Sequence, residues 1–550
     1  MINIKEEIKK IIGFDCNVEM PKKDNMGDFS VPCFNLTSEE NKNPVSIAAS
    51  LKDKIKLSKY FNKVENVGPY LNFFVNYDVL GEEVLKEIET KKNTYGSNNQ
   101  GNNEALVIEH TSINPNASPH IGRSRNALIG DFLKRLYKFV NYNVETHYFV
   151  NDIGKQIAFL VVGVNKYKNE NLSFNEILDL YVKINEEAKT DESIEKEAFE
   201  ILEKLENGDE EARDLFKSIT DMCVKGQTDI LGDLDISYDV FTHESDFVFG
   251  TEVENILKRL DETGRLKEDE TGRYYLDLTG YDIPTKEPVL VLTRANKTSL
   301  YPLRDIAYSI YKMNVNEKNN FIVLGEDQIT YMKQIAAALD ILGYPAPKLT
   351  SYSFVLLDGG KMSTRGGTLV LLEDFIKETN NMLKESFDAR NILVKDEDIN
   401  KITGACIKFT MLNVSKDKCV NFNWDKATSF TGESGLYILY SIVRINSILN
   451  KNEVKECNIK FNYDIEHKIL KDLYNFPNVI DSLLQSNEPA VLTKYIFNLT
   501  QKFSKFYEEV NVNNEEDEDL KQSRLKLLQA TKMVLTNALE ILGISTIDKM

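Results

Sequence analysis

One short stretch constrains the fold of this chain more than any other. Ala105–Glu109 has the composition of a short buried strand, and residues 144–150 have that of a second. Between them, four apolar residues recur on one helical face: Leu128, Phe132, Leu136 and Phe139. A strand, a helix and a second strand within about 45 residues are the signature of a βαβ unit. The sequence therefore predicts a parallel sheet with at least one covering helix.

The same alternation returns later in the chain. Strands are predicted over residues 287–292, 321–324 and 352–357, and a helix is predicted over residues 335–342. Strands that alternate with helices favour an α/β domain, which we assign to residues 104–400. Residues from about 161 to 280 interrupt it with charged sequence, and their apolar positions fall on one face of an acidic helix: Ile194, Ala198, Ile201 and Leu205. This pattern predicts a solvated helical insertion.

Both flanks of this domain have a different character. Residues 1–95 combine a predicted helix near 45–55 with a predicted strand at Tyr70–Val75, which is typical of a small α+β domain. Residues 91–103 are polar and rich in Gly and Asn, which favours a linker. Residues 401–550 are predicted to be an all-α domain. Its clearest helices are predicted at 435–449, 492–510 and 525–542.

Composition excludes several classes of protein. The 550 residues suggest roughly three to five domains. The formal net charge of −19 excludes a uniformly basic nucleic-acid binder, although not one with a local basic face. No apolar run is long enough for a transmembrane helix, and the charged N-terminus is not typical of a signal peptide, so we expect a cytoplasmic protein. The six cysteines form no C-x-x-C pair, which predicts neither disulfides nor a zinc site.

Two stretches carry chemistry suited to an anionic nucleotide. The first, residues 109–125, follows the first strand, where ligands of open parallel sheets bind. It contains His120, Gly122 and Arg123, which suit a phosphate at a helix start. The second, residues 358–367, places Lys361 and two hydroxyl residues between glycines, as in a mobile phosphate clamp. Each stretch alone has a structural alternative. His120 could be a loop histidine whose hydrogen bonds serve only the fold, and residues 358–367 could be a surface hairpin with turn glycines.

Together, the two stretches indicate a function much more specifically than either does alone. His-Ile-Gly after the first strand and Lys-Met-Ser about 240 residues later resemble the HIGH and KMSKS signatures of class I aminoacyl-tRNA synthetases. Further segments resemble the arginyl-tRNA synthetases within that class: residues 27–29, 68–73, 109–122, 150–157, 299–307, 361–367, 437–444 and 543–550. The resemblance extends over essentially the whole chain, in the family's order.

The resemblance implies a fold and a reaction. The fold would be α/β, with a Rossmann-type parallel-sheet catalytic domain, an inserted helical connective segment, an N-terminal α+β domain on the tRNA elbow and a C-terminal all-α anticodon-binding bundle. The reaction would be that of an arginine–tRNA ligase, which uses ATP with Mg²⁺ to form arginyl-adenylate and then esterifies the 3′-terminal adenosine of tRNA(Arg). Such catalysis is positional and electrostatic and needs no enzyme nucleophile. The expected partners are tRNA, L-arginine and ATP, with no DNA and no membrane, and we expect a monomer.

The resemblance also assigns roles to individual residues. Asp305 is expected to bind the planar guanidinium of arginine, with Tyr301 on the same helical face. The other expected arginine contacts are Glu109, Asn114, His120 and Gln328. The expected ATP contacts are His120, Gly122, Arg123, Lys361, Met362 and Ser363, of which His120, Arg123 and Lys361 are the expected catalytic residues.

Two positions depart from the family's signatures. Arg123 stands where the first signature has its second histidine, which helps to stabilise the phosphates in the transition state. Thr364 stands where the second signature has its second lysine, and Arg365 follows it. Arginine supplies a fixed charge but is longer than histidine, so the role of position 123 stays open.

The expected RNA contacts lie on both flanks. Tyr70 and Asn72 match positions used on the tRNA elbow, and Tyr440 and Arg444 lie one helical turn apart in the C-terminal domain. Packing into the core is the alternative for both tyrosines. Two other functions also stay open: another class I synthetase or ATP-dependent amino-acid ligase, and a non-catalytic paralogue that binds tRNA or senses an amino acid.

Overall fold

The computed structural model describes residues 2–21, 26–36, 43–167, 172–248, 251–315, 319–357 and 370–550. The helices are α1 Ile4–Ile12, α2 Pro44–Lys54, α3 Tyr77–Lys91, α4 Ile121–Phe139, α5 Lys155–Tyr167, α6 Phe174–Ala188, α7 Glu192–Glu206, α8 Glu210–Gly232, α9 Glu252–Glu262, α10 Tyr301–Met313, α11 Ile329–Ile341, α12 Leu372–Asp388, α13 Asp396–Leu412, α14 Trp424–Ala427, α15 Gly435–Leu449, α16 Asp464–Ser486, α17 Pro489–Glu509 and α18 Glu518–Ile541. The strands are β1 Phe29–Pro32, β2 Phe61–Val67, β3 Tyr70–Val75, β4 Ala105–Glu109, β5 Asn143–Val150, β6 Val240–His243, β7 Leu266–Glu268, β8 Tyr274–Asp277, β9 Val289–Val291, β10 Asn320–Gly325, β11 Lys348–Tyr352, β12 Val355–Leu357 and β13 Val420–Phe422.

A five-stranded parallel sheet forms the centre of the molecule. Its strand order is β11-β10-β4-β5-β6, and all four neighbouring pairs are parallel. The apolar face of α4 packs on it, with Leu128, Phe132 and Leu136 buried. The predicted βαβ unit is confirmed as β4-α4-β5. From β4 the chain builds the sheet outward on one side through β5 and β6, and later on the other side through β10 and β11. The order therefore reverses between β4 and β10, which is where Rossmann-type sheets bind ligands.

Two predicted strands differ in the structure. The strand expected at 287–292 is β9, which pairs with β8 in a separate antiparallel sheet of order β7-β8-β9 rather than in the central sheet. The strand expected at 352–357 is divided into β11 and β12, and β12 pairs with β13 instead. Ser353 lies at the break, where its amide donates to the carbonyl of Lys416. In both cases the partner strand decides which sheet the segment joins, and the local pattern does not specify that partner.

The expected insertion is helical over α5, α6, α7 and α8. Their apolar faces form a separate cluster that includes Ile177, Ile194, Phe216 and Cys223. The range of 161–280 was too wide, however, because it contains β6. This strand pairs with β5 at the edge of the central sheet, so the chain rejoins that sheet before residue 280.

Both flanking regions have the predicted character. The N-terminal region has the antiparallel sheet β1-β3-β2 with α1, α2 and α3, and the C-terminal region is a bundle that includes α13 and α15–α18. The expected linker at 91–103 is not a free connection in the structure. Tyr95 within it is fully buried, and its hydroxyl donates to the carbonyl of Leu473 at 2.8 Å. Within the part of the chain that is described, no helix is both long and apolar enough to cross a membrane.

Candidate active site

The main cleft of the catalytic domain opens where the strand order reverses. Its volume is about 600 Å³, and its lining comes from the loop after β4, the turn after β10, and helices α10 and α11. Six residues singled out in the sequence line it together: Glu109, Asn114, Arg123, Tyr301, Asp305 and Gln328. Residues that are separated by up to about 220 positions therefore meet at one edge of the sheet, as expected for a switch-point site.

Asp305 is a carboxylate of this cleft with a strongly raised pKa. It lies one turn into α10, and its carboxylate accepts a hydrogen bond from the hydroxyl of Tyr331. Burial, together with the negative charges of Glu244 and Glu109, raises the pKa of Asp305 to about 7. Among the described residues, no Lys or Arg forms an ion pair with Asp305. Such a carboxylate gains most from a ligand that brings its own positive charge.

Glu244 adds a second carboxylate, which the sequence reasoning missed. It directly follows β6, is buried, and lines the same cleft. Its Oε1 accepts a hydrogen bond from Arg304 Nε at 2.6 Å, yet burial still raises the pKa of Glu244. An acidic residue immediately after a parallel strand was the available signal, but β6 itself was not recognised.

Glu109 is held by an internal cation. Its carboxylate forms a buried ion pair with the ammonium group of Lys312, which also lies 4.4 Å from the ring centre of Tyr308. The structure therefore gives Glu109 a protein partner in addition to the substrate contact expected from the sequence. Lys312 was not identified from the sequence, because a lysine near the end of a helix resembles any solvated residue.

The start of α4 forms the second part of the site. His120 is the residue before the helix, and its side chain does not cap the helix. Burial and the neighbouring charge of Arg123 lower the pKa of His120, so it is neutral near pH 7. A Cβ on Gly122 would lie 3.1 Å from His120 Nδ1, so glycine leaves room for that ring. Within the described residues, the side chain of Arg123 makes one hydrogen bond, a long one of 3.4 Å from Nη1 to the carbonyl of Ser112.

The first signature stretch is in contact with residues 370–372, which follow the second stretch along the chain. The amide of Ile121 donates to the carbonyl of Val370 at 3.0 Å, and the amide of Leu372 donates to the carbonyl of Pro119 at 2.8 Å. Val370 is the first described residue after the second stretch. The predicted ATP contacts Lys361, Met362 and Ser363 lie outside the described residues. Asn114 lies nearby, and its Oδ1 accepts a bond from Asn151 Nδ2 at 3.3 Å.

The residues expected to contact RNA differ in their accessibility. Tyr70 is half-buried, and its ring packs edge-on against exposed Phe34 at 5.6 Å between centres. Asn72 is buried, and its Oδ1 accepts a hydrogen bond from Ser30 Oγ at 2.8 Å, so its side chain faces the domain interior. Tyr440 and Arg444 are half-buried and adjacent, with the guanidinium 4.4 Å from the ring centre.

The fold and the cleft are those of a class I synthetase. A family model described as tRNA synthetases class I (R), catalytic domain, matches residues 84–425. Two further models match the flanks: the arginyl tRNA synthetase N terminal domain at residues 2–75 and the DALR anticodon binding domain at residues 438–550. The Rossmann-type α/β fold class expected from the sequence is confirmed.

Relatives and solved structures narrow the class to one family. The chain is 34% identical to the arginine–tRNA ligase of Methanocaldococcus jannaschii, covering 100% of this chain and 98% of the relative. It is 33% identical to that of Halothermothrix orenii, with 100% of both chains covered. The fold matches the arginyl-tRNA synthetases of Thermus thermophilus (TM-score 0.82, 24% identity, 100% of both chains) and Plasmodium falciparum (TM-score 0.79, 20% identity, 100% of this chain and 99% of that one). The chain belongs to the arginyl-tRNA synthetase family and is therefore an arginine–tRNA ligase.

Proposed function

We propose that the cleft binds L-arginine with its guanidinium group between Asp305 and Glu244. The observation that carries this proposal is the buried carboxylate of Asp305, which has a raised pKa and forms no ion pair within the described part of the chain. A guanidinium is planar and always charged, and its donors suit two carboxylates at once. Tyr301, Gln328 and Asn114 line the same cleft and are proposed to contact the rest of the amino acid.

ATP is proposed to bind at the start of α4, beside His120, Gly122 and Arg123. Free amides at a helix start and a nearby guanidinium both favour phosphate groups. The neutral ring of His120 would donate a hydrogen bond to a phosphate oxygen, while Arg123 would supply positive charge. Lys361, Met362 and Ser363 remain predicted ATP contacts. Mg²⁺ is expected to arrive on the phosphates of ATP, and the absence of zinc stays a prediction.

The proposed reaction has two displacement steps. The carboxylate of arginine attacks the α-phosphate of ATP, a bond forms between carboxylate oxygen and phosphorus, and the bond to pyrophosphate breaks. The 2′-hydroxyl of the terminal adenosine of tRNA(Arg) then attacks the carbonyl carbon of arginyl-adenylate, and AMP leaves. The protein would position the reactants and offset the charge that spreads over the phosphate oxygens.

The anticodon end of the tRNA is proposed to meet a row of arginine and aromatic side chains. This arginine–aromatic row consists of Arg390, Phe430, Tyr440, Arg444 and Tyr507. Arg390 lies 4.8 Å from the ring centre of Phe430, which packs edge-on against Tyr440 at 5.7 Å. Arg444 lies 4.4 Å from the ring centre of Tyr440 and 5.0 Å from that of Tyr507. Rings and guanidinium planes stack on unpaired bases, which supports this assignment.

The remaining assignments concern the whole chain. We propose domains at residues 1–95, 104–400 and 401–550, a monomeric state and a cytoplasmic location. Tyr70 is the proposed contact for the tRNA elbow. Asn72 would support that surface from beneath through Ser30, because its side chain is buried.

One experiment tests the proposed specificity directly. Purified enzyme is incubated with ATP, total tRNA and each of the twenty amino acids, and both AMP formation and labelled aminoacyl-tRNA are measured. The expected result is arginine-dependent AMP formation together with arginylation of one tRNA fraction. AMP formation with another amino acid would contradict the proposed pocket chemistry, and binding of arginine without AMP formation would favour a non-catalytic role.

A further inference from the structure

Asp152 is a buried carboxylate that the proposed reaction does not use. It lies in the loop after β5, within the segment 150–157, and only 1% of it is exposed. Its Oδ1 accepts the amide of Ser245 at 2.9 Å, and its Oδ2 accepts the hydroxyl of Ser245 at 2.6 Å. The same Oδ2 lies 3.1 Å from Nδ1 of His243. Asp152 does not line the active-site cleft.

These three contacts fall on the two residues that flank Glu244. His243 ends β6 and Ser245 follows Glu244, so the contacts of Asp152 hold the residues on both sides of Glu244 in place. Glu244 in turn accepts from Arg304 Nε, and Arg304 Nη1 donates to the carbonyl of Ser299 at 2.6 Å. The chain of contacts therefore runs from Asp152 through Glu244 to the segment that begins α10.

The surroundings of His243 fix this arrangement further. Its Nε2 lies 3.3 Å from Asp221 Oδ1, and its own amide donates to Asp246 Oδ2 at 3.3 Å. The carboxylates at both ring nitrogens favour the charged form of His243, and they raise its pKa although burial acts against this. Asp152 thus has a charge partner of its own, and Arg304 bonds Oε1 of Glu244, so within the described residues Oε2 is the oxygen of Glu244 that has no bonded cation.

We propose that Asp152 is a positioning residue for amino-acid specificity: it holds Glu244 at the guanidinium of bound arginine without touching the substrate. The inference rests on the proposed function, in which Glu244 faces that guanidinium. A carboxylate that is correctly placed favours arginine over citrulline, its uncharged analogue of nearly the same shape. Displacement of Glu244 should therefore weaken arginine binding much more than citrulline binding.

The test compares Asp152→Asn with Glu244→Gln and with the double variant. For each, KM for arginine, KM for ATP and the inhibition constant of citrulline are measured in aminoacylation. Asp152→Asn should raise KM for arginine by about tenfold, because displacement of the charged partner Glu244 should reduce the affinity for arginine by at least about that factor. KM for ATP and the inhibition constant of citrulline should stay within about twofold of their values in the unchanged enzyme, since the binding of neither ligand depends on the charge of Glu244. Asp152→Ala is measured in parallel, and the thermal midpoint of each variant reports folding.

The double variant separates positioning from a general structural role. If Asp152 acts through Glu244, Asp152→Asn should add little to the arginine KM of Glu244→Gln, because coupled residues are non-additive. Asp221→Asn is the matched control: it removes the carboxylate at the other ring nitrogen of His243, is 53% exposed at its side chain, and should leave the arginine KM near that of the unchanged enzyme.

The other possible results contradict either the positioning role of Asp152 or the guanidinium site itself. Additive effects of the two substitutions, or parallel rises in the KM values for arginine and ATP, would overturn the positioning role. So would an unchanged arginine KM in Asp152→Asn if Glu244→Gln raises it strongly. An unchanged arginine KM in Glu244→Gln would instead overturn the proposed guanidinium site, and the role of Asp152 would fall with it.

Discussion

Asp305 makes arginine recognition dependent on pH. Its pKa is raised to about 7 in the free enzyme, whereas a bound guanidinium requires the ionised carboxylate. Below that pKa, binding must first remove a proton, so KM for arginine should rise as pH falls. We expect a rise of roughly tenfold from about pH 8 to about pH 6, because each unit below the pKa reduces the ionised fraction about tenfold. Steady-state kinetics at saturating ATP and tRNA measure it.

The control for this prediction is Asp305→Asn. This variant should raise KM for arginine by at least ~100-fold, since a buried charged hydrogen bond is lost, and it should remove most of the pH dependence. A pH profile that is the same in the variant and in the unchanged enzyme would assign the titration to another group. Unchanged arginine kinetics would remove Asp305 from the pocket.

Arg123 tests whether a fixed cation replaces the usual second histidine of the signature. Among the described residues its guanidinium makes one long hydrogen bond, to the carbonyl of Ser112, which a phosphate could replace at small cost. Arg123→His should keep substantial activity, within about tenfold in kcat, whereas Arg123→Ala should lose about 100-fold or more, in the range observed for loss of a transition-state donor. Single-turnover arginylation measures both. Equal losses in the two variants would indicate that position 123 requires the length of arginine.

The limits of sequence reasoning at the residue scale follow from chemistry. Asp305 and Arg123 were found because each belongs to a stretch whose order of residues is distinctive. Glu244 and Lys312 were missed because an isolated acid or base in sequence is indistinguishable from a solvated one. Only the folded chain reveals that both are buried and paired. The individual roles in the site remain predictions until the variants are measured.

At the scale of elements, local pattern predicted some strands, missed others such as β6, and did not predict which strands pair. The helix α4 and the strands β4 and β5 were predicted closely, because apolar periodicity reports burial directly. The local sequence does not predict the division between β11 and β12, since residues 352–357 have the pattern of one continuous strand. The break depends on Arg125, a fully buried residue of α4.

Arg125 donates short hydrogen bonds to four backbone carbonyls and a longer one, of 3.5 Å, to a fifth, that of Lys416. Its Nη1 donates to Ser353 and Lys418, both at 2.7 Å, and its Nη2 donates to Val414 at 2.8 Å and Ser415 at 2.9 Å. Arg125→Met would leave these buried acceptors without a donor, at a cost of roughly 3 kcal/mol or more. We expect a clearly lower denaturation midpoint, measured by circular dichroism.

The matched control for this prediction is Arg273→Met. Arg273 forms a partly exposed ion pair with Asp269, so its loss should change the midpoint little. A midpoint for Arg125→Met equal to that of the control would mean that water satisfies the four carbonyls.

At the scale of the whole molecule, the flanking regions pack against the rest of the chain more closely than composition indicated. Residues 91–103 have the composition of a linker, yet Tyr95 is buried against the C-terminal bundle. A polar segment that docks through one aromatic residue has the same composition as a free one, so sequence could not distinguish them. One continuous apolar core includes residues of α1, α4 and α18.

The C-terminal segment contacts α4. The carbonyl of Gly543 accepts a bond from the buried ammonium of Lys408 in α13. A Cβ at Gly543 would lie 2.7 Å from Asp131 Oδ2 and 2.9 Å from Arg135 Nε, both on α4, and the φ of +67° at this position is left-handed. The anticodon-binding bundle therefore contacts the helix that begins at the proposed ATP site.

This contact gives a physical route from bound tRNA to the chemistry. A tRNA held at the elbow and at the arginine–aromatic row would bridge all three regions and favour the arrangement of α4 and the signature stretches that is competent for activation. We therefore expect arginine-dependent exchange of pyrophosphate into ATP to be near background without tRNA, and to appear when tRNA(Arg) with an oxidised 3′ end is added. Gly543→Ala should weaken that stimulation more than it weakens tRNA binding, because it disturbs the route and not the RNA surface. Strong exchange in RNA-free enzyme would contradict the coupling, and full stimulation in Gly543→Ala would show that the coupling takes another path.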